Sequence, residues 1–221
     1  SLFRNSGTLN VGTASLSEGD SFNGGGSFSN NGGTLDNSGY VRIRGTLTNY
    51  GFRMPSIVNN SGLIDNYGTL ENRFGTLNNS GTINNYDGGT INNSDSMTNN
   101  SEGALNNYGT FNNNYYSSSS TLDNFGTINN DGIINSTSGA VSEISGIQNH
   151  GTLRNNGTIN GSVDVKAGGI LTGSGTINGS VLLGGVIDPA NSTGTITTSN
   201  QTWINGASYG WEVNDSDGTA G

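Results

Sequence analysis

Few side chains in this sequence have the type and spacing that acid–base chemistry requires. His150 is the only histidine, so a Ser/His/Asp triad would have to use it. It lies between Asn149 and Gly151, a setting in which other parts of the chain carry Tyr or Phe. We therefore expect His150 to be a corner side chain rather than a catalytic base.

The carboxylates are scattered as single residues rather than as pairs. Asp36, Asp65, Glu71 and Asp123 each directly follow an apolar residue, so on a strand they point away from the core. A glycosidase needs two carboxylates about 5 to 10 Å apart, one of them with a raised pKa. Solvated single acids do not meet the second condition, and we predict no catalytic residue.

Composition argues against several classes of ligand. There is no cysteine, and Asp215-Ser216-Asp217-Gly218 resembles half of an EF-hand loop without the glutamate at the required spacing. We predict no metal site and no cofactor. The formal net charge is −9 and the sequence has no basic patch, so neither nucleic acid nor an anionic membrane surface is an expected partner. No apolar run has the length of a membrane span, and we expect no membrane insertion.

The stretch from Gly68 to Asn113 repeats one short unit, Gly-Thr-(Leu/Ile)-x-Asn. Glycine and asparagine oppose helix, and the unit is too short for a helical hairpin. It has the length of one strand and one corner, with the aliphatic residue and the asparagine on the same side. Stacked units would bury a continuous apolar column. The predicted core residues are Leu70, Leu77, Ile83, Ile91, Leu105, Phe111, Leu122, Ile128, Leu153 and Ile159.

The asparagine and the glycine of each unit have separate expected roles. The asparagine amide can hydrogen-bond to the asparagine of the next coil and so form a ladder. The predicted ladder residues are Asn72, Asn79, Asn85, Asn93, Asn99, Asn107 and Asn113. The glycine is expected to supply the positive φ that a corner needs. Together these features predict an all-β fold, a single-stranded parallel β-solenoid or β-helix.

An aromatic residue after the asparagine recurs at about every third unit, which indicates three short strands per coil of about 18 to 21 residues. Such rings would stack on one corner of the solenoid. The predicted aromatic corner consists of Tyr50, Tyr67, Tyr86, Tyr108 and Phe125. The longer period in the centre of the chain favours a right-handed coil.

The domain organisation follows from where the repeat is kept and where it is broken. We predict a solenoid over 1–202, irregular at 51–56, 114–120 and 137–145. An aromatic C-terminal cap or junction is expected over 203–221. Trp203, Tyr209 and Trp211 would either cover the last coil or dock onto the first coil of another copy. We expect the chain to be a mature fragment or a piece of a longer protein.

The segment GSGTINGSVLLGGVIDPANSTGTITTSNQTW, from Gly173 to Trp203, resembles the repeats of autotransporter passenger domains. It is also similar to the large secreted β-solenoid adhesins of Gram-negative bacteria. Ala190 and Thr193 depart from the usual Gly and Pro of that pattern, so this turn is expected to differ. The resemblance implies export, a β-helical fold and a place on the cell surface, and it implies no single activity.

These observations favour a structural or adhesive segment of an extracellular bacterial surface fibre, without catalysis. Surface glycans, or the surface of a host or neighbouring cell, would then be the partners. Three alternatives stay open: a subunit of a head-to-tail filament of copies, a carbohydrate-binding or carbohydrate-degrading β-helix, and an ice-binding solenoid. Ice binding usually needs a regular grid of Thr. The residue x of the repeat changes among Asn, Asp, Glu, Thr and Arg, which disfavours that alternative.

Overall fold

The computed structural model describes residues 2–11, 21–22, 26–113, 120–136, 146–189 and 195–210. Over these ranges the chain is an all-β parallel β-solenoid with no helix, as predicted. Every strand pairing in them is parallel, and three columns of strands run the length of the molecule. The right-handedness of the coil stays a prediction from the repeat length.

Apart from Ser21–Phe22, which pairs with Asn10–Val11 within column 2, successive turns place their strands in columns 1, 2 and 3 in the same order. Column 1 contains β1 (Leu2–Asn5), β5 (Thr34–Asn37), β8 (Ile57–Asn60), β11 (Thr76–Asn79), β14 (Ser96–Asn99), β17 (Thr121–Asn124) and β20 (Gly146–Asn149). Column 2 contains β2 (Thr8–Val11), β3 (Ser21–Phe22), β6 (Tyr40–Ile43), β9 (Leu63–Asn66), β12 (Thr82–Asn85), β15 (Ala104–Asn107), β18 (Thr127–Asn130), β21 (Thr152–Asn155), β23 (Ile170–Thr172), β25 (Val186–Asp188) and β27 (Ser208–Tyr209). Column 3 contains β4 (Ser27–Asn31), β7 (Thr46–Tyr50), β10 (Thr69–Arg73), β13 (Thr90–Asn93), β16 (Thr110–Asn113) and β19 (Ile133–Ser136). Three longer strands, β22 (Thr158–Val165), β24 (Thr176–Leu183) and β26 (Thr197–Trp203), pass from column 3 into column 1.

The described residues share one apolar core, which is mostly aliphatic and runs from turn to turn. In column 1, for example, Leu77 pairs with Met97, and Met97 pairs with Leu122. All ten predicted core residues have no exposed surface. In most of the four-residue strands, such as β11 and β12, half-exposed and buried residues alternate, so that the aliphatic residue and the asparagine lie inside, as expected from a period of two.

The predicted asparagines form three inner ladders rather than one. Column 1 joins Asn79 to Asn99, column 2 joins Asn85 to Asn107, and column 3 joins Asn72, Asn93 and Asn113 in succession, with Nδ2–Oδ1 distances of 2.7–2.8 Å. Each amide donates toward the following turn, and most also donate to the carbonyl oxygen at the start of the strand that follows the ladder partner. Asn85 Nδ2, for instance, lies 3.0 Å from the Thr110 carbonyl oxygen. The buried amides are thereby paired within the protein.

A turn contains about 22 residues, which is longer than the predicted range. Ladder partners are 25 residues apart at Asn99 and Asn124, but the outer amides of Asn160 and Asn178 are only 18 residues apart. In the 18-residue turn, columns 3 and 1 are joined within one long strand, β22, and the column 2 strand β23 has three residues, whereas the central turns have corners such as Tyr86–Gly89 and Asn100–Gly103.

Most corner glycines do not have the positive φ that the repeat suggested. Gly39, Gly62 and Gly81 stack on one corner, and none has a φ in the left-handed region. A Cβ on Gly62 would lie 2.1 Å from the Gly39 carbonyl oxygen, and a Cβ on Gly81 would lie 2.1 Å from that of Gly62. Glycine is required there because successive turns approach too closely for any side chain.

Of the three stretches predicted to be irregular, only 51–56 lies wholly within the described residues. Residues 51–56 contain no strand, as predicted; Phe52 and Met54 are exposed, and the Phe52 ring lies beside that of Tyr50. Residues 114–119 and 137–145 lie outside the described residues. Beyond 202, β26 and β27 pair with β24 and β25, so strand pairing continues past the boundary expected at 203.

Candidate binding face

The aromatic residues occupy three corners instead of one. Tyr67, Tyr86 and Tyr108 each follow an asparagine of column 2, and their rings stack with centroid distances of 4.4 and 6.2 Å. The prediction is wrong for Tyr50, which is the last residue of the column 3 strand β7, and for Phe125, which follows the column 1 strand β17. Aromatic residues share a corner only when they are three strands apart. Tyr67 comes two strands after Tyr50, and Phe125 comes two strands after Tyr108.

His150 occupies a corner, as its setting indicated. Its ring stacks on Phe125 with a centroid distance of 4.6 Å. Lys166 comes one turn later at the same corner, where it pairs with Asp164. Burial raises the pKa of Asp123, an outward residue of the same column, and the nearby charges of His150 and Lys166 oppose that rise.

Asp65 is not a solvated single acid. It is 8% exposed, and its carboxylate accepts hydrogen bonds from the Tyr40 hydroxyl at 2.9 Å and the Asn84 amide at 2.8 Å. Arg42 Nε donates to the Tyr40 oxygen at 2.8 Å. Burial, followed by the charge of Asp65, raises the pKa of Tyr86 to about 12. This cluster was missed from the sequence because its members come from successive turns.

The charged groups do not assemble a metal centre in the part of the chain that the structure describes. No group of three His, Cys, Asp or Glu side chains there could hold a metal ion. Nor does any helix in those ranges have the length and apolar character needed to cross a membrane.

The stacked tyrosines offer mainly ring edges and hydroxyl groups, because each ring face between Tyr67 and Tyr108 covers its neighbour.

The most regular surface is the outward side of column 3, which we call the Thr/Asn face. It has two ranks. The first rank contains Thr90, Thr110, Ile133, Thr158 and Thr176, and the second contains Asn92, Asn112, Asn135, Asn160 and Asn178. All ten positions are uncharged. The variable residue of the repeat is therefore asparagine at five successive turns of this column, whereas column 1 has Asp123 and Asp164 at such positions and column 2 has Asp65 and Arg154.

The second rank is held together by its own hydrogen bonds. Asn178, Asn160, Asn135 and Asn112 each donate from Nδ2 to Oδ1 of the asparagine one turn earlier, at 2.8–2.9 Å. The direction is opposite to that of the inner ladders. Each of these amides uses one N–H in the ladder and retains a second, which can meet solvent or a ligand.

Two of the three aromatic residues predicted to form a cap or a junction lie within the described residues. Trp203 and Tyr209 have ring centroids 6.4 Å apart, and both rings are about half exposed. Trp211 lies outside the described residues. At the other end of the stack Leu2 and Phe3 are also exposed.

Comparison with known protein families, curated proteins and solved structures finds no match to this chain. The assignment of the fold as a β-solenoid with asparagine ladders therefore rests on the structure alone.

Proposed function

We propose that this chain is a structural and adhesive segment of an extracellular bacterial surface fibre and that it performs no catalysis. The observation that supports this proposal most directly is that the apolar column and the three inner ladders continue from turn to turn. Each turn is stabilised by its two neighbours, so adding turns extends the rod without changing its cross-section. That property suits a spacer or a stalk.

Two features of the surface support this proposal. Only 10% of the residues are charged, and the outward positions are mostly Thr, Asn and Ser, which form hydrogen bonds to many partners without strong charge selection. The resemblance of Gly173–Trp203 to autotransporter passenger repeats also favours export from a Gram-negative cell. Surface glycans or a neighbouring cell surface are the partners that this chemistry fits.

Immunogold electron microscopy of intact source cells tests the location. Antibodies raised against the purified chain should label extended surface material, and brief protease treatment of intact cells should remove that label while a periplasmic marker persists. A strain lacking the chain should adhere less to cells or to glycan-coated surfaces. Label confined to the cytoplasm would overturn the proposal, as would turnover of a polysaccharide that disappears in the Asp123→Asn variant.

A second candidate is a filament of copies joined end to end. It is favoured by the exposed Trp203–Tyr209 stack at one end of the described strands and by exposed Leu2 and Phe3 at the other. Contacts between two different surfaces that do not close generate open filaments. Sedimentation velocity over a range of concentrations should then show growing assemblies that Trp203→Ser abolishes. A monomer at every concentration rejects this candidate.

A further inference from the structure

The Thr/Asn face presents a two-dimensional lattice. Along the solenoid axis, equivalent side chains repeat at the strand spacing of about 4.8 Å, and the two ranks are about 6.6 Å apart because they are two residues apart on each strand. Four of the five first-rank residues are threonine, and Ile133, the fifth, is also β-branched. The face therefore repeats nearly the same chemistry at five successive turns.

The side chains of this lattice are ordered before anything binds. The amides of the second rank are fixed by their mutual hydrogen bonds at 2.8–2.9 Å. The first rank is stiff because β-branched side chains have few rotamers on a strand. A surface that is already ordered loses little conformational entropy when it holds water molecules or a ligand in fixed positions.

We propose that the Thr/Asn face binds ice through a layer of ordered water. Ice offers a flat, uncharged and periodic surface of hydrogen-bond donors and acceptors, and this face is periodic and uncharged over the same ten residues. Each ladder amide keeps one N–H for water, and each threonine adds a hydroxyl and a methyl group. This proposal does not depend on the proposed fibre function.

Other occupants fit the face less well. Neither rank contains an aromatic ring on which a sugar could stack. The ranks lie on the outward side of a sheet, half-buried or exposed at every position except Asn92, instead of in the concave site that small ligands prefer. A second protein copy would need a more apolar centre than threonine and asparagine provide. A neutral polysaccharide is therefore an outcome to be distinguished by experiment.

The test compares two asparagines with the same hydrogen bonds on different columns. Asn135 on the Thr/Asn face donates to Asn112 and accepts from Asn160, all at 2.8 Å. Asn106 in column 2 donates to Asn84 and accepts from Asn129, also at 2.8 Å. Thermal hysteresis and inhibition of ice recrystallisation are measured on the wild-type chain, on Asn135→Lys and on Asn106→Lys, after circular dichroism has shown that all three are folded.

We expect ice activity in the wild-type chain, its loss in Asn135→Lys and its retention in Asn106→Lys. No activity of the wild-type chain at millimolar concentration would overturn the proposal, as would equal loss in both folded variants. Co-sedimentation with cellulose, chitin and starch is measured in parallel. Binding to one of these that Asn135→Lys removes, without any ice activity, would assign the face to a glycan instead. Should Asn135→Lys fail to fold, Asn135→Ala takes its place with the same expected loss.

Discussion

Two adjacent asparagines on β15 allow the role of water exclusion in the ladders to be measured directly. Asn107 points inward, has no exposed surface, and makes one accepted and one donated amide bond at 2.7 and 2.8 Å. Asn106 points outward and also makes one accepted and one donated amide bond, both at 2.8 Å. The pair therefore differs in access to water and in one further bond, which Asn107 donates to the Ile133 carbonyl oxygen at 3.0 Å.

The two alanine variants should differ severalfold in their cost. Asn107→Ala leaves one N–H of Asn85 and the Oδ1 of Asn130 without partners in the core, and it also removes a 3.0 Å bond to the Ile133 carbonyl. A buried group left unpaired costs about 1–3 kcal/mol, so two such groups should lower the free energy of unfolding by about 2–5 kcal/mol. Asn106→Ala should cost only about 0.5 kcal/mol or less, because water takes over the exposed partners.

Equilibrium urea denaturation followed by circular dichroism measures both changes. The midpoint should fall strongly for Asn107→Ala and hardly at all for Asn106→Ala, with the same slope in each case, since the surface exposed on unfolding is nearly unchanged. Equal midpoints for the two variants would refute the reasoning. That result would mean that the ladders stabilise the protein through amide contacts as such rather than through the exclusion of water from them.

Three further outcomes follow from single contacts. Gly62→Ala should lower the melting temperature markedly, because its Cβ would lie 2.1 Å from a backbone carbonyl oxygen, whereas Gly7→Ala, with no atom within 4 Å of its Cβ, should leave it nearly unchanged. Asp123→Asn should be more stable than wild type near pH 7 and equal to it near pH 3. Burial raises the pKa of Asp123 above its unfolded value of about 3.9, so the native state binds more protons than the unfolded state between the two pKa values. The stability of the wild-type chain therefore falls as the pH rises through that range. Equal stabilities of the two proteins at both pH values would contradict this. Asp65→Asn should lower the pKa of Tyr86 from about 12, because a neighbouring carboxylate no longer disfavours the phenolate, and an NMR titration of the tyrosine ring showing no change would exclude that coupling.

Local pattern was sufficient to identify the strands and their inner residues. The alternation of Thr, aliphatic, x and Asn assigns each side chain to one side of its own strand, and this assignment needs no knowledge of other turns. Leu77 and Ile83 are buried for that reason, and Asn79 and Asn85 are in inner ladders for the same reason. The sequence also showed that glycine is used at the corners, but it did not show that the close approach of successive turns is the reason.

What the local pattern could not determine is which units lie above one another. Ladder partners are 19 residues apart at Asn66 and Asn85 and 25 apart at Asn130 and Asn155, so the register depends on corner lengths and on strand pairing between distant residues. For this reason Tyr50 and Phe125 lie on corners different from that of Tyr86, and Asp65 lies buried beside Tyr40. The sequence by itself determined that the chain coils into a β-solenoid and which residues face its interior, because both follow from a period of two within each unit. Only the tertiary structure decided that the asparagines from Asn92 to Asn178 share one uncharged face and that the corner glycines are needed for close approach, because both depend on contacts between successive turns.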